Sequence, residues 1–197
     1  MKYDAIHREI HDSISVKQKI LEDAALVHSI REVADECIAA YRRGNRVLLA
    51  GNGGSAADAQ HIAAEFVSRY AFDRPGLASI AFTTDTSMLT AIGNDYGYDQ
   101  IFRRQLEANG KKGDVFIGIS TSGNSPNVLT ALQCAQGLGI VAVGLTGQGG
   151  KKMQAFCDYC IKVPSMSTPR IQESHIMLGH IICGIVEGTL FEEQGNR

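Results

Sequence analysis

The first forty residues carry apolar side chains at the three- and four-residue spacing of amphipathic helices. Residues 3–43 contain neither proline nor glycine, and Gly44 then interrupts the pattern. The spacing predicts one or two helices over about residues 1–43, ending at this glycine. We expect this N-terminal helical segment to pack its apolar face on the rest of the protein.

The hydrophobic pattern changes beyond Gly44. Short runs rich in valine, isoleucine and leucine alternate with stretches of helical spacing, a pattern typical of buried parallel strands joined by crossover helices. We predict an α/β, doubly wound, flavodoxin-like fold over residues 1–197, in which helices flank a five-stranded parallel sheet and N-terminal helices precede it. The predicted strands are 46–50, 77–82, 114–119, 141–145 and 159–163, and the predicted helices are 56–70, a segment within 86–108, 126–138, 150–156 and 171 to about 191.

The composition narrows the class of function. With 19 basic and 21 acidic side chains the chain has no field suited to a polyanion, which disfavours nucleic acid as a partner. The unbroken apolar runs are far shorter than the ~20 residues that a membrane span needs, and the N-terminus lacks the apolar core of a signal peptide. Five cysteines, an odd number, fit reduced thiols. We therefore expect a cytoplasmic protein with no membrane partner.

A glycine-rich turn follows the first predicted strand and is the first candidate ligand site. Gly51-Asn52-Gly53-Gly54-Ser55 leads directly into a predicted helix. Ligands of parallel sheets bind beyond the carboxyl ends of the strands, where the amides of a helix N-terminus favour an anion. Two alternatives stay open here. One is a plain tight turn with Ser55 as helix N-cap. The other is a dinucleotide site, although no suitably placed acidic residue ends the second strand.

A hydroxyl-rich loop follows the third predicted strand. It reads Ser120-Thr121-Ser122-Gly123-Asn124-Ser125 and runs into the next helix. The loop contains no lysine or arginine, but hydroxyl groups, backbone amides and a helix N-terminus are sufficient donors for one phosphate monoester. The alternative is an ordinary capping loop, which would need fewer hydrogen-bonding side chains at this edge of the sheet.

The helix predicted over 56–70 carries a polar stripe of Asp58, His61 and Glu65. His61 and Glu65 are four residues apart, so their side chains lie one helical turn from each other. They could share a metal ion or an acid-base task. On spacing alone, a solvated ion pair remains the simpler interpretation.

The last predicted helix contains His175 and His180 among aliphatic residues. A histidine in such a setting is either a core side chain or a base whose pKa its surroundings have shifted. Sequence alone leaves both alternatives open for each of them.

Together these motifs resemble the phosphoheptose isomerase family of sugar isomerase (SIS) domains. The resemblance implies isomerisation of sedoheptulose 7-phosphate to D-glycero-D-manno-heptose 7-phosphate, the first step toward the heptose of bacterial lipopolysaccharide and related glycans. It also implies a cytoplasmic homotetramer with active sites near subunit interfaces, residues 1–43 packing on neighbouring subunits, and one Zn²⁺ per subunit. The matching segments are 51–55, His61 with Glu65, Gly93-Asn94-Asp95, 120–125, and Arg170-Ile171-Gln172-Glu173 with His180.

The resemblance also implies roles for individual residues. Glu65 and His180 are the implied acid-base pair. His61, Glu65, Gln172 and His180 are the implied metal ligands. The implied substrate contacts are Asn52, Gly53, Gly54, Ser55, Glu65, Asn94, Asp95, Ser120, Thr121, Ser122, Ser125 and Gln172.

The spacing of Gln172 and His180 raises a geometric difficulty for that ligand set. Eight residues of straight helix separate side chains by about 12 Å of rise and about 80° of rotation. By helical spacing alone Glu173 is better placed. We therefore expect either that Gln172 lies in or before a distorted first turn, or that neighbouring chains share the metal site.

Two other functions compete with this interpretation. A non-catalytic SIS-fold protein that binds the replication initiator or senses sugar phosphates would not need both Glu65 and His180. An isomerase of another sugar phosphate, such as an arabinose or hexulose phosphate, would use the same chemistry. The motifs favour the heptose family over both.

Overall fold

The computed structural model describes residues 2–191 of the 197-residue chain. Helices and strands alternate beyond Gly44 as the hydrophobic pattern predicts. The strands are β1 (Val47–Gly51), β2 (Ser79–Ala81), β3 (Val115–Ile119), β4 (Val141–Gly147) and β5 (Tyr159–Val163). The helices are α1 (Lys2–Glu22), α2 (Ala24–Arg42), α3 (Gly54–Val67), α4 (Thr86–Tyr96), α5 (Ile101–Asn109), α6 (Pro126–Leu138), α7 (Lys151–Gln154) and α8 (Thr168–Phe191).

All five strands are parallel, in the order β2-β1-β3-β4-β5. This is the flavodoxin-like order of a doubly wound sheet, and it confirms the predicted fold class. The chain leaves β1 toward one edge and returns through β3 toward the other, so the strand order reverses between β1 and β3. The crevice at the carboxyl ends of these two strands is the expected ligand position in such folds.

The sheet is covered on both faces because its strands are buried on both sides. Side chains alternate along β1, so that Val47 and Leu49 join one core and Leu48 and Ala50 join the other. The first core contains residues of α1, α2, α3 and α8, and the second contains residues of α5, α6 and α7. This two-sided burial explains why the strand segments read as unbroken apolar runs.

The structure settles one open alternative, and two further details differ from the sequence-based expectation. The N-terminal segment is two helices, because Asp23 interrupts it and accepts a hydrogen bond from the amide of Leu26 as the N-cap of α2. The segment 86–108 divides at Gly97, whose φ of 90° ends α4, and a 3-10 turn at Tyr98–Gln100 follows. The helix expected over 150–156 is only the single turn α7.

Helix α8 is long and apolar enough to cross a membrane by length and composition alone. The expectation that no segment could do so considered only unbroken apolar runs, and this helix is the exception. In the structure α8 lies in the first core, where Leu178, Ile182 and Val186 are buried. A helix that packs in the core of a protein can have this composition without any membrane.

Candidate active site

The glycine-rich turn and the hydroxyl-rich loop meet at the switch point between β1 and β3. The side chains of Asn52 and Asn127 form two reciprocal amide hydrogen bonds of 2.9 Å each across this crevice. Asn127 lies in the first turn of α6 and is buried. The hydroxyl of Tyr98 donates a third hydrogen bond, at 3.1 Å, to the side-chain oxygen of Asn52. These contacts fix Asn52 before any ligand binds.

Glycine is required at two positions of the first turn. A Cβ on Gly51 would lie 2.6 Å from the carbonyl oxygen of Ser55, so only glycine allows this close approach. Gly53 has a φ of 55° and is the N-cap of α3. Ser55 is buried within the helix, so the alternative with Ser55 as N-cap is wrong. The first turn of α3 has no side-chain cap, and the amides of Ser55, Ala56 and Ala57 donate to the carbonyls of Asn52 and Gly53.

The hydroxyl-rich loop closes on itself. Ser120 and Ser125 share a hydrogen bond of 2.9 Å between their hydroxyl groups, and the amide of Gly123 donates to the carbonyl of Ser120. Ser122 accepts from the amide of Asn124. Ser125 is the N-cap residue of α6, but its hydroxyl makes no hydrogen bond to the amides of the helix. The loop thus presents neutral donors in a fixed arrangement.

A cavity of about 230 Å³ lies between the hydroxyl-rich loop and the start of α8. Its polar lining includes Thr121, Ser122 and Asn124 from the loop and Ser165 and Thr168 from the approach to α8. A second, smaller cavity of about 130 Å³ adjoins the glycine-rich turn. The lining of this second cavity is mostly apolar and includes Leu89, Ile101 and Phe102.

Three of the four predicted metal ligands come together where α3 passes α8. One ligand atom each of His61, Glu65 and His180 lies within 4.8 Å of the others. The Nε2 atoms of the two histidines are 2.8 Å apart, and His61 Nε2 is 3.3 Å from Glu65 Oε1. We call these three residues the triad. Two imidazoles and one carboxylate are a donor set used by catalytic divalent metal sites, so these residues fit a metal ion.

The surroundings of the triad combine solvent access with partial burial. The side chain of His61 is 49% exposed and that of Glu65 22%. The ring of Tyr70 lies 5.7 Å from the ring of His180 and covers one side of it. Burial raises the pKa of Asp58, which follows the same helical stripe, while the neighbouring His61 lowers it.

The two histidines of α8 have different environments. His180 belongs to the triad, whereas His175 is completely buried. Burial lowers the pKa of His175 to about 4, so this ring is neutral at pH 7. The alternatives that sequence left open therefore divide between the two residues: His175 is the core histidine and His180 is the site histidine.

Gln172 lies near the start of α8, eight residues before His180. Helix α8 begins at Thr168 and is regular through Gln172, so the expectation of a distorted first turn is wrong. The carboxamide of Gln172 lies against Gly54, where a Cβ would overlap it. Eight residues of helix rise, about 12 Å, separate it from His180. The alternative that neighbouring chains share the site stays a prediction.

Glu173, which spacing alone favoured as a ligand, has other partners. Its carboxylate accepts from Arg170 at 2.6 Å and from the hydroxyl of Ser13 in α1 at 2.8 Å. It therefore ties α1 to α8 and is not free for a metal. Helical spacing places Glu173 on the same face of α8 as His180, but the hydrogen bonds to Arg170 and Ser13 exclude it as a metal ligand.

Asn94 and Asp95 lie in the last turn of α4 and are exposed. The Asn94 amide donates to the Asp95 carboxylate at 2.7 Å. Within residues 2–191, no hydrogen bond joins this pair to the other predicted site residues. Their role in substrate contact stays a prediction.

Sequence reasoning missed two residues of the site, Asn127 and Tyr98. Both act through Asn52, and neither belongs to a recognisable motif. The one available signal was position. Asn127 directly follows Pro126 at the start of α6, where a polar side chain faces the crevice between β1 and β3.

Comparisons with known proteins show the family and the fold of the chain. The family model of the SIS domain matches residues 11–147. The chain is 63% identical to the phosphoheptose isomerase of Aneurinibacillus thermoaerophilus, over 97% of this chain and 96% of that protein. It is 65% identical to phosphoheptose isomerase 2 of Campylobacter jejuni, over 91% and 90% of the two chains. The solved structure of the phosphoheptose isomerase from Neisseria gonorrhoeae superposes with a TM-score of 0.89 at 41% identity, covering 95% of this chain and all of that one.

Proposed function

The chain belongs to the phosphoheptose isomerases, a family built on the SIS domain, and from that premise we propose the reaction and the residues that carry it. The protein is an aldose-ketose isomerase that interconverts sedoheptulose 7-phosphate and D-glycero-D-manno-heptose 7-phosphate. The product is a precursor of the heptose in lipopolysaccharide or a related glycan. The reaction takes place in the cytoplasm.

One observation carries the assignment of roles. The triad of His61, Glu65 and His180 lies where α3 meets α8, whereas the hydroxyl-rich loop follows the carboxyl end of β3 and lines a cavity that reaches the start of α8. A seven-carbon sugar phosphate has its carbonyl and its phosphate at opposite ends. Neutral donors at Ser120, Thr121, Ser122 and Ser125 bind the phosphate, and the triad acts on C1 and C2. Holding the far end in place keeps the reacting carbons at the acid-base groups.

The chemistry requires a proton to move between C1 and C2 through an enediol. One group removes the proton, a second protonates the carbonyl oxygen, and the developing negative charge needs stabilisation. Glu65 and His180 are the acid-base pair in this proposal. The half-buried Glu65 and the His180 ring under Tyr70 approach the same space from two helices, which suits proton transfer at neighbouring atoms.

We assign a zinc ion to the triad. The donor set of His61, Glu65 and His180 fits it, and Gln172 completes the set by reorienting or from a neighbouring subunit. When bound, zinc polarises the substrate oxygens as a Lewis acid. The glycine-rich turn contacts the sugar through residues 52–55, and Gln172 of α8 contacts it beside them. Asn94 and Asp95 complete the predicted contacts.

The proposed assembly is a homotetramer with the active sites near subunit interfaces. Helix α1 supports it, because Ile6, Ile10 and Ile14 form an apolar stripe in which each side chain is more than half exposed. An apolar groove of about 440 Å³ between α1, α2 and α8 adds Leu21 and Ile181 to the exposed surface. Such surface is typical of a protein interface.

The test is direct conversion of sedoheptulose 7-phosphate by the purified, zinc-supplied protein, followed by detection of the aldose product. We expect turnover by the wild-type protein and its loss in Glu65→Gln and His180→Gln. No turnover would contradict the reaction and favour a non-catalytic sugar-phosphate-binding role. Turnover of an arabinose or hexulose phosphate instead would assign another substrate. Full activity in both variants would contradict the residue roles alone.

A further inference from the structure

A buried ion pair lies behind the triad, between the end of α3 and the last turns of α8. Arg74 belongs to the segment that follows α3, and Glu187 belongs to α8. Their side chains are only 2% and 1% exposed, and Arg74 Nε is 2.9 Å from Glu187 Oε1. A buried ion pair costs desolvation of both charges, and replacement by apolar residues of similar volume is often no less stable. A contribution to folding stability is therefore a weak explanation for the presence of this buried ion pair.

The hydrogen bonds of Arg74 end helix α3. Its Nη2 donates to the carbonyl of Glu65 at 2.8 Å, and its Nη1 donates to the carbonyl of Phe66 at 2.6 Å. The last carbonyls of a helix have no partner within the helix. Here the planar guanidinium supplies the partners, where helices more commonly end with a glycine. Arg74 thus holds the backbone of the turn that carries the Glu65 side chain.

The hydrogen bonds of Glu187 continue the network toward His180. One carboxylate oxygen accepts from the amide of Tyr70 at 2.8 Å and the other accepts from the amide of Ala71 at 2.6 Å. Tyr70 is the residue whose ring covers His180. Glu187 also lies seven residues after His180, two turns along the same face of α8. The ion pair therefore connects the backbone of Glu65, the ring over His180 and the helix of His180.

The charge state of the pair is well determined. Burial alone would raise the pKa of Glu187, but the amides of Tyr70 and Ala71 and the Arg74 guanidinium together lower it below its ordinary value. The carboxylate accepts three hydrogen bonds in all. The lowered pKa keeps this carboxylate ionised at neutral pH.

We propose that Arg74 and Glu187 are positioning residues for the isomerisation, which together fix the separation of Glu65 from His180. This inference rests on the proposed function, because the pair has a positioning role in catalysis only if Glu65 and His180 carry the reaction. Neither residue contacts the reacting atoms. Among residues 2–191, none of the hydrogen bonds of the pair reaches the hydroxyl-rich loop, so we expect phosphate binding to be unchanged.

The test compares Arg74→Lys with Arg103→Lys. Lysine keeps the positive charge of Arg74, but its donors share one nitrogen atom and cannot reproduce the planar fork that reaches Glu187 and the carbonyls of Glu65 and Phe66. Arg103 forms an ion pair with Glu107 at the same 2.9 Å, but on the exposed surface of α5. In Arg74→Lys, we expect kcat to fall about tenfold or more with KM changed less than about threefold, and the pH profile of kcat to shift. Arg103→Lys should match the wild type.

A purely structural role would give a different result. The folded variant would have a lower Tm but wild-type kcat, KM and pH profile well below that Tm, and this outcome would overturn the proposal. Glu187→Gln, which preserves side-chain shape, is the second variant if Arg74→Lys does not fold. It should show the same loss of kcat with little change in KM.

A measurement without turnover separates this inference from the proposed function. Zinc affinity of the metal-free protein should weaken about 10- to 100-fold in Arg74→Lys, since Glu65 is a ligand whose support is lost. If the wild type does not convert sedoheptulose 7-phosphate, the proposed function fails and zinc affinity alone decides the positioning role. An unchanged zinc affinity in that case would reject it.

Discussion

The hydroxyl-rich loop and the triad differ in how the chain builds them. The loop consists of six consecutive residues, 120–125, that hydrogen-bond to one another. The triad joins residues 119 positions apart, His61 on α3 and His180 on α8. A local loop depends on its own turn chemistry, whereas the triad depends on the relative placement of two helices. The first is therefore robust to distant changes, and the second requires a supporting network.

The two regions also differ in charge. The loop offers only neutral donors, although its proposed ligand is a phosphate, while the triad contains one carboxylate and two titratable rings. Neutral donors bind the phosphate without a competing positive field near the reacting carbons. Proton transfer, in contrast, requires groups that change protonation state. Binding and chemistry are thus assigned to two different groups of side chains.

The largest effect should follow a change in the triad. Glu65→Gln keeps the size of the side chain but removes its basicity, so we expect kcat to fall about 10²- to 10⁴-fold. KM for sedoheptulose 7-phosphate should change little, because the phosphate is held at the other region. Steady-state kinetics with zinc supplied measure both constants. A rise in KM at constant kcat would show that Glu65 only binds substrate.

Most of the fold and the loop could be predicted from the sequence because their signals are local. Parallel strands buried on both faces produce unbroken apolar runs, and the glycine-rich turn and the hydroxyl-rich loop are continuous segments. The boundaries were less accurate where a single residue decides them. Asp23 capped a new helix, and the φ of Gly97 ended another.

The remaining features depend on contacts between distant residues. Nothing in the sequence indicated that Glu173 is held by Ser13, or that Arg74 and Glu187 meet in the interior. The assignment of His175 and His180 also required knowing which face of α8 meets the sheet. A pattern in one segment can predict which side chains share a face, but not what lies opposite them.

The second prediction concerns the buried His175 of α8 and the dependence of stability on pH. The unfolded chain titrates His175 near pH 6.5, but burial lowers its pKa to about 4 in the folded protein. Between these values the unfolded state binds the extra proton, so acidification from pH 6.5 to 4 should lower the free energy of unfolding by about 3 kcal/mol. Denaturant unfolding at several pH values should show a shallower pH dependence in His175→Gln. The exposed His28→Gln should keep the wild-type dependence.

The third prediction concerns the loop. Ser120→Ala removes one donor to the proposed phosphate and the partner of Ser125, and a hydrogen bond to a charged group is worth about 1.5–3 kcal/mol. We expect KM to rise about 10- to 100-fold with kcat nearly unchanged, the opposite of Glu65→Gln. Ser79→Ala is the matched control, since Ser79 donates to the carbonyl of Val47 at the amino end of the sheet. Loss of kcat in Ser120→Ala would mean that the two regions are not separate.

The smallest effect should come from the contact between Asn52 in the glycine-rich turn and Asn127 at the start of α6. Asn127→Ala removes both hydrogen bonds to Asn52, but Asn52 is only half-buried and water can replace part of the loss. We expect about 1 kcal/mol lower stability and about a fivefold lower kcat/KM, divided between kcat and KM. Asn109→Ala, which removes only a bond to the carbonyl of Gln105 on α5, tests whether loss of an asparagine amide alone has this effect. A change confined to KM would place Asn52 with the loop, and a change confined to kcat would place it with the triad.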